Sequence, residues 1–246
     1  MKTQNKQKFS RYEFKYIIPN SLSARIEQEI EHFMDYDGYI HPSLGNRYLV
    51  RSLYFDNDQS TNFYDKVDGI KKRSKYRIRT YGDVMDPSLP FFLEEKGRLE
   101  NRTYKERIYI NFEDIDLLTR NWANLNLREK YDSNFMERFL YNRLRKRLEP
   151  KVLVDYYRKP YINKFGLYFR LTFDSNLMCQ KTEKIFPLES ETGSLSCLTG
   201  NTILELKFER SIPPWFHRII QSYQLRRVSV SKFVLGMTKL KIAEDI

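Results

Sequence analysis

The 246-residue sequence predicts an α+β protein in which an antiparallel sheet closes into a β-barrel, charged inside and apolar outside, with helices packed around it. Three observations carry that prediction. About nine segments alternate with period two, as strands with two different faces do. Their polar phase is filled with Arg, Lys and Glu, where a solvated sheet face normally mixes in Thr, Ser and Gln. Between them lie segments with apolar residues every three or four positions, which can cover the apolar phase. For one strand alone, the plain alternative is a charged face turned to solvent. Nine in one chain favour a shared interior.

The first strand sets Arg11, Glu13 and Lys15 on one face and Tyr12, Phe14 and Tyr16 on the other. Asn20 or Ser21 then caps a helix to about Met34, with Leu22, Ile26, Ile30 and Phe33 as its buried stripe. A strand is expected near Leu49 to Asp56. Three more follow: KYRIRTYG aligns Arg77 with Arg79, FFLEEKGR aligns Glu94, Lys96 and Arg98, and YKERIYI aligns Lys105 with Arg107. Asn111 opens a second helix through Phe112, Ile115, Leu118 and Trp122. Asp132 or Ser133 opens a third, whose stripe is Phe135, Phe139, Leu140 and Leu144 and whose cations Arg143, Arg145, Lys146 and Arg147 point elsewhere, near the negative end of the helix dipole. Val152, Val154, Tyr156 and Arg158 share a strand face, as do Arg170, Thr172 and Asp174. Glu183 to Gly200 reads as a long connection. Glu205, Lys207 and Glu209 form the polar phase of the next strand. Pro213 and Pro214 begin a fourth helix through Trp215, Ile219 and Ile220, a strand is expected near Arg227 to Ser231, and a fifth helix follows Lys232. Trp122 and Trp215 read as core.

Length and composition bound the function. A 41% apolar, 15% aromatic chain of this size buries a full core, so a disordered polyelectrolyte is excluded. A single domain spanning 1–246 is expected. No stretch approaches 18 uncharged apolar residues and Met1 to Lys8 is polar, so a cytoplasmic protein without a transmembrane segment or secretory leader is expected. Two cysteines 18 positions apart and three scattered histidines supply neither a zinc site nor a Ser-His or Cys-His catalytic pair. The 43 Lys and Arg exceed the 32 Asp and Glu by 11, which calls for an anionic partner: nucleic acid, an acidic membrane surface or a small polyanion.

Position chooses among them. The inward phase collects Lys15, Arg77, Arg79, Lys96, Arg98, Lys105, Arg107, Arg158, Arg170, Lys207 and Lys232, with Glu13, Glu94, Asp174, Glu205 and Glu209 among them. Enclosed cations repel one another unless carboxylates, water or a bound anion neutralise them. Phosphate suits such a lining, because Arg forks bind it bidentately and Lys meets it as a point charge. The carboxylates then suit a hard cation, Mn²⁺ or Mg²⁺, bridging phosphate oxygens. Phosphoryl transfer needs little more than this positioning and neutralisation. No GxxxxGK[ST] or glycine-rich kinase loop is present, so side chains and not a backbone nest would grip the phosphates.

The ordered segments RYEFKYIIP, SLYFD, KYRIRTYG, FFLEEKGR, KERIYI, VDYYRKPY, LYFRLTFD, ILELKFE and VSVSKFVLG resemble the VTC domain, the polyphosphate polymerase domain of the CYTH or triphosphate tunnel metalloenzyme superfamily, from about Ser10 to about Lys239. The resemblance implies an eight-stranded antiparallel tunnel with helices outside. It implies phosphate-binding and catalytic roles for Lys15, Arg77, Arg79, Lys96, Lys105, Arg158, Arg170 and Lys232. Arg98, Arg107, Tyr156, Lys207 and Ser231 would contact the substrate, and Glu205, with Glu13 and Glu94, would hold the metal. ATP and inorganic polyphosphate or triphosphate are the implied partners, with no nucleic acid.

Three departures stand out. Arg11 takes the first position of the superfamily's E-x-E-x-K, Arg98 stands where polymerases can carry a histidine, and Ser229 stands where a lysine can occur. Loss of the first glutamate favours a longer phosphate chain over the metal-rich hydrolytic form. Triphosphate hydrolysis in the same fold and a non-catalytic polyanion or nucleic-acid module are the alternatives. Lys71, Lys72, Arg73 and Lys75 read either as a tunnel mouth or as a solvated loop, and the basic end of the third helix as a solvated end or a docking site for acidic lipid or RNA.

Overall fold

A computed structural model describes residues 12–38, 40–100, 102–120, 125–131, 133–188 and 193–244. Arg11, Trp122 and Asp132 lie outside the described residues. Among the described residues, ten strands and seven helices succeed one another as β1 (Tyr12–Pro19), α1 (Asn20–Ile30), β2 (Met34–Tyr36), β3 (Tyr48–Asp56), α2 (Thr61–Val67), β4 (Lys72–Thr80), β5 (Phe91–Leu99), β6 (Arg102–Ile110), α3 (Ile115–Arg120), α4 (Leu125–Tyr131), α5 (Asn134–Lys146), β7 (Glu149–Asn163), β8 (Phe169–Lys181), β9 (Leu195–Ser196), β10 (Asn201–Phe208), α6 (Pro214–Ser222) and α7 (Lys232–Lys239).

Eight strands form the antiparallel wall in the order β1-β10-β8-β7-β3-β4-β5-β6, while β2 adds to β7 and β9 to β8. The wall is barrel-like, with a charged interior and helices over its outside. Its two end strands, β1 and β6, carry no backbone ladder between them among the described residues. Instead, Glu13 of β1 meets Lys96 of β5 at 3.3 Å across the junction. Side chains, and not the ladder of a closed sheet, span the seam.

Two cores lie on the outer faces. Ile26 and Ile30 of α1 and Phe216 and Ile219 of α6 pack on Tyr16, Leu204, Leu206 and Phe169. Trp215 stacks on Phe33 with ring centroids 4.4 Å apart, in keeping with its reading as core. On the other half, Phe135 and Phe139 of α5 and Leu118 of α3 pack on Tyr76, Ile78, Leu93 and Phe55. Ser133 caps α5 by accepting from the Met136 N–H at 3.1 Å.

A third core adds one helix on the inner face to those packed outside. Val152, Val154 and Tyr156, in phase with Arg158 on the inner face, are buried against Phe233 and Met237 of α7 and Phe63 of α2. A Cβ at Gly236 would sit 3.2 Å from Val152 and 3.3 Å from Val154, so any larger residue there would have to push these valines back by a few tenths of an ångström. The inner phase of β7 changes from Arg158 to valine because a helix, not an anion, covers that end.

Two expectations change. The segment 227–231 is not a strand: Arg227 makes one bridge to Tyr16 and the Val228 N–H donates to the Lys15 carbonyl at 2.8 Å. Beyond it, Ser229 and Ser231 turn to lysines and the chain leaves β1 to begin α7. In α5, Leu144 is exposed and Arg143 is buried in its place. The Arg143 guanidinium donates to the carbonyls of Thr119 at 3.2 Å, in the last turn of α3, and Leu148 at 3.4 Å, between α5 and β7.

Gly97 marks the other close approach. A Cβ there would fall 2.1 Å from the Tyr104 ring, whose hydroxyl donates to Glu95 at 3.0 Å. Gly97→Ala is therefore expected to expel the ring and cost about 1–3 kcal/mol. Denaturant titration of the variant checks it, and an unchanged midpoint would refute the assigned packing.

Candidate active site

Strand register builds the site. Glu94 faces Arg77 on one neighbour and Arg107 on the other, and Lys96 faces Lys75 and Lys105. Arg79 and Arg77 face Ser52 and Tyr54 of β3. Across the barrel, Arg158 faces Asp174, and Glu205 and Lys207 face Lys15 and Glu13. Alternation alone therefore turns these charges into one interior, as the period predicts.

Three carboxylate-centred clusters organise them. The first is Glu94, which receives Arg77 at 2.5 Å, Lys105 at 2.6 Å and Arg79 and Arg107 at 3.9 Å each. Arg77 also donates to the Tyr54 hydroxyl at 2.8 Å, and Arg79 donates to Ser52 at 3.1 Å and Tyr156 at 3.3 Å. Burial pushes the Glu94 carboxyl up, but Arg77, Arg79 and Lys105 together hold it well below the usual carboxylate range. The same burial, seconded by Arg77 and Arg79 against the pull of Glu94, brings the Lys105 ammonium down to about 7.

The second cluster is Asp174, whose two oxygens take Arg158 at 2.7 Å and Lys232 at 2.6 Å. Against its burial, Arg158 and then Lys232 hold its carboxyl low. A folded-state value below the unfolded one stabilises the protein above the ordinary aspartate range, and that stability is lost as pH falls. Urea midpoints are thus expected to be level from pH 7 to pH 5 and to drop between about pH 4 and pH 2. A midpoint flat to pH 2 would remove Asp174 and Glu94 from the account.

The third cluster is Glu13 with Glu205. Lys15 meets Glu13 at 2.9 Å and Glu205 at 3.8 Å, Lys207 meets Glu205 at 2.7 Å, and Lys96 reaches Glu13 from across the seam. Against desolvation, Lys96 and Lys15 lower the Glu13 carboxyl to about 2. Burial opposes ionisation of Glu205 as well, yet Lys207 and Lys15 hold it far below normal. Glu205 and Glu13 are the carboxylates here that share a lysine and face the same space.

Several expected residues sit at the margins. Arg170 is in the inward phase but at the strand end, paired with Asp37 and 40% exposed. Arg98 donates to the Glu100 carbonyl at 2.7 Å, and Arg107 lies over the Phe92 ring at 4.4 Å. Ser231 accepts from Lys75 at 2.9 Å. Residues not expected in the site are Tyr54, Ser52 and Asp174 as the Arg158 partner, while Lys66 of α2, outside the three clusters, donates to Ser229 at 3.1 Å. No residue type distinguishes them in the sequence: cross-strand register brings in Ser52, Tyr54 and Asp174, and helix α2 carries Lys66.

A cavity of about 580 Å³ opens on this interior between β1 and the ends of β4, β5 and β6. Among the described residues, no helix is long and apolar enough to cross a membrane, and no group of three metal-ligating side chains gathers.

A barrel-like antiparallel wall with paired Arg and Lys rows inside it defines a tunnel fold with a cation-rich interior. The chain belongs to the VTC domain family, whose model matches residues 10–241. Its fold is that of a putative adenylyl cyclase from Hippeastrum, described as having a dominant triphosphatase activity, at a TM-score of 0.53 and 14% identity over 93% of this chain and 96% of that one. A putative adenylate cyclase from Bacillus halodurans aligns at a TM-score of 0.52 and 13% identity over 89% and 92%. No curated protein matches the sequence.

Proposed function

We propose that the protein is an ATP:polyphosphate phosphotransferase that passes the terminal phosphoryl of ATP to a growing inorganic chain inside the tunnel. The observation that carries it is the convergence of Arg77, Arg79, Lys105, Arg158, Lys15 and Lys232 on one enclosed space with too few carboxylates to neutralise them. Family membership supports the same reading.

Arg77 and Arg79 present forked donors that fix the equatorial oxygens of the transferring group. Lys15, Lys96, Lys105, Arg158 and Lys232 spread charge along the rest of the phosphates, with Arg107, Lys207, Arg98 and Arg170 at the periphery. The hydroxyls of Tyr156 and Ser231 hold cations in register. Glu205 and Glu13 suit Mn²⁺ or Mg²⁺, because a small hard cation takes one or two carboxylates and completes its shell with phosphate oxygens and water. Such an ion supplies neutralisation of developing charge on the phosphate oxygens. Glu94 suits it less, since both of its oxygens are taken at 2.5 and 2.6 Å.

Triphosphate hydrolysis is the second reading, with water in place of the chain end, and it is the activity described for the Hippeastrum protein. Incubation with ATP and Mn²⁺, followed by ³¹P NMR, separates the two. Internal chain phosphate is the expected product; orthophosphate alone would replace the polymerase by a triphosphatase. A nucleic-acid module is disfavoured, because the cations face the interior while the alternating aromatics back the sheet.

A further inference from the structure

The inner surface is not uniformly balanced. Along β4–β5–β6, the row Arg77–Glu94–Arg107 carries its own carboxylate. One step out, the row is Lys75–Lys96–Lys105, three ammonium groups directly abreast on adjacent strands. The next is Arg73 opposite Arg98. Like charges placed directly opposite on a sheet are destabilising, and two successive rows of them are not a way to stabilise a barrel.

Partners do not correct this. Lys96 has Glu13 and Lys105 has Glu94, but Lys75 has no carboxylate partner among the described residues. A serine hydroxyl, Ser231, holds it in place, and a second serine, Ser229, holds Lys66 of α2 beside it. A hydroxyl positions an ammonium without cancelling its charge. Burial and the neighbouring Lys96 and Lys15 push the Lys75 ammonium well below its usual range, whereas Lys15, next to two carboxylates, is pushed up. Lys15, Lys66, Lys75 and Lys96 line the 580 Å³ cavity, whose wall holds seven Lys and Arg but a single carboxylate, Glu13, while Lys105 with its partner Glu94 lies outside it.

We infer that this cavity binds the phosphate chain beyond the triphosphate, with Lys66 and Lys75 as the residues that select a long chain over a short one. The inference rests on the function proposed above. A nucleoside is uncharged and does not answer an excess of cations, whereas each added phosphate unit brings one more negative charge to the unbalanced rows. The far end of the same strands is different, closing on Phe92 and Tyr109 beside Arg79.

Calorimetric titration of the full chain with tripolyphosphate and with long-chain polyphosphate tests it. The double variant Lys66→Gln, Lys75→Gln is expected to bind the long chain at least about 10-fold more weakly, with a shallower salt dependence, while tripolyphosphate affinity stays within about twofold. Lys75→Arg should keep the long-chain preference. Should the double variant fail to fold, Lys66→Gln alone, on a partly exposed side chain, must shift the ratio in the same direction. Equal loss for both ligands would place the lysines in the triphosphate site, and an unchanged long-chain affinity would take the cavity off the chain's path. Either overturns this inference alone. A wild-type protein that binds neither ligand would overturn the proposed function along with it.

Discussion

Arg79→Met is expected to lower turnover by about 10³-fold while leaving the thermal midpoint unchanged or raised. The two effects come from one fact of charge balance. Arg79 is buried and lies 3.9 Å from Glu94, which already receives Arg77 and Lys105 at hydrogen-bonding distance. Taking it away removes a fork aimed into the tunnel but leaves no carboxylate unpaired. It also relieves repulsion with Arg77 and Lys105, and methionine fills the volume with an adaptable apolar chain. Ser52 and Tyr156 lose a donor but keep hydroxyls that can reorient. Steady-state kinetics and scanning calorimetry on the same preparation check both halves. A fall of more than about 5 °C in the midpoint would show that Arg79 serves the fold.

Glu94→Gln is expected to do the opposite, costing about 3–5 kcal/mol of stability. The amide keeps the shape and removes the charge that four cations share in the interior. Those cations then stand unopposed on β4 and β6, the two strands that flank Glu94. A polyanion can replace the lost carboxylate, so tripolyphosphate should recover most of the midpoint, and by more than it adds to the wild type. Chemical denaturation with and without the ligand measures this. Were Glu94 instead a metal ligand, stability without ligand would change little and Mn²⁺ activation would disappear.

Much of this arrangement is legible in the sequence. Alternation in RYEFKY, KYRIRTYG and ILELKFE places Lys15, Arg77, Arg79 and Glu205 on an inner face because a strand has one polar phase and a barrel has one interior. What alternation does not carry is register. It cannot tell that Tyr54 stands beside Arg77, or that Lys75, Lys96 and Lys105 fall abreast, since a slip of two residues preserves the phase and changes every neighbour. Nor does it distinguish an inner face meeting a ligand from one meeting a helix, and so α7 inside the barrel escapes a reading based on amphipathic helices alone. Arg143 is missed for a different reason: charge argues for solvent, but a carbonyl in the last turn of α3, Thr119, and one between α5 and β7, Leu148, accept from it in the interior. The strand expected at 227–231 fails because its serines bond lysines and not a neighbouring backbone.

The seam between β1 and β6 bears on how a polymer could get in and out. A barrel closed by backbone all round is a ring, and a long chain must thread it from a free end. A wall whose end strand β1 is tied through Glu13 to Lys96 of β5, beside the other end strand, is a clasp. Its grip weakens as ionic strength rises and when a polyanion competes for Lys96. On the function proposed above, the substrate would itself loosen the clasp, and a chain could then be laid in sideways along its length, with neither end required to lead.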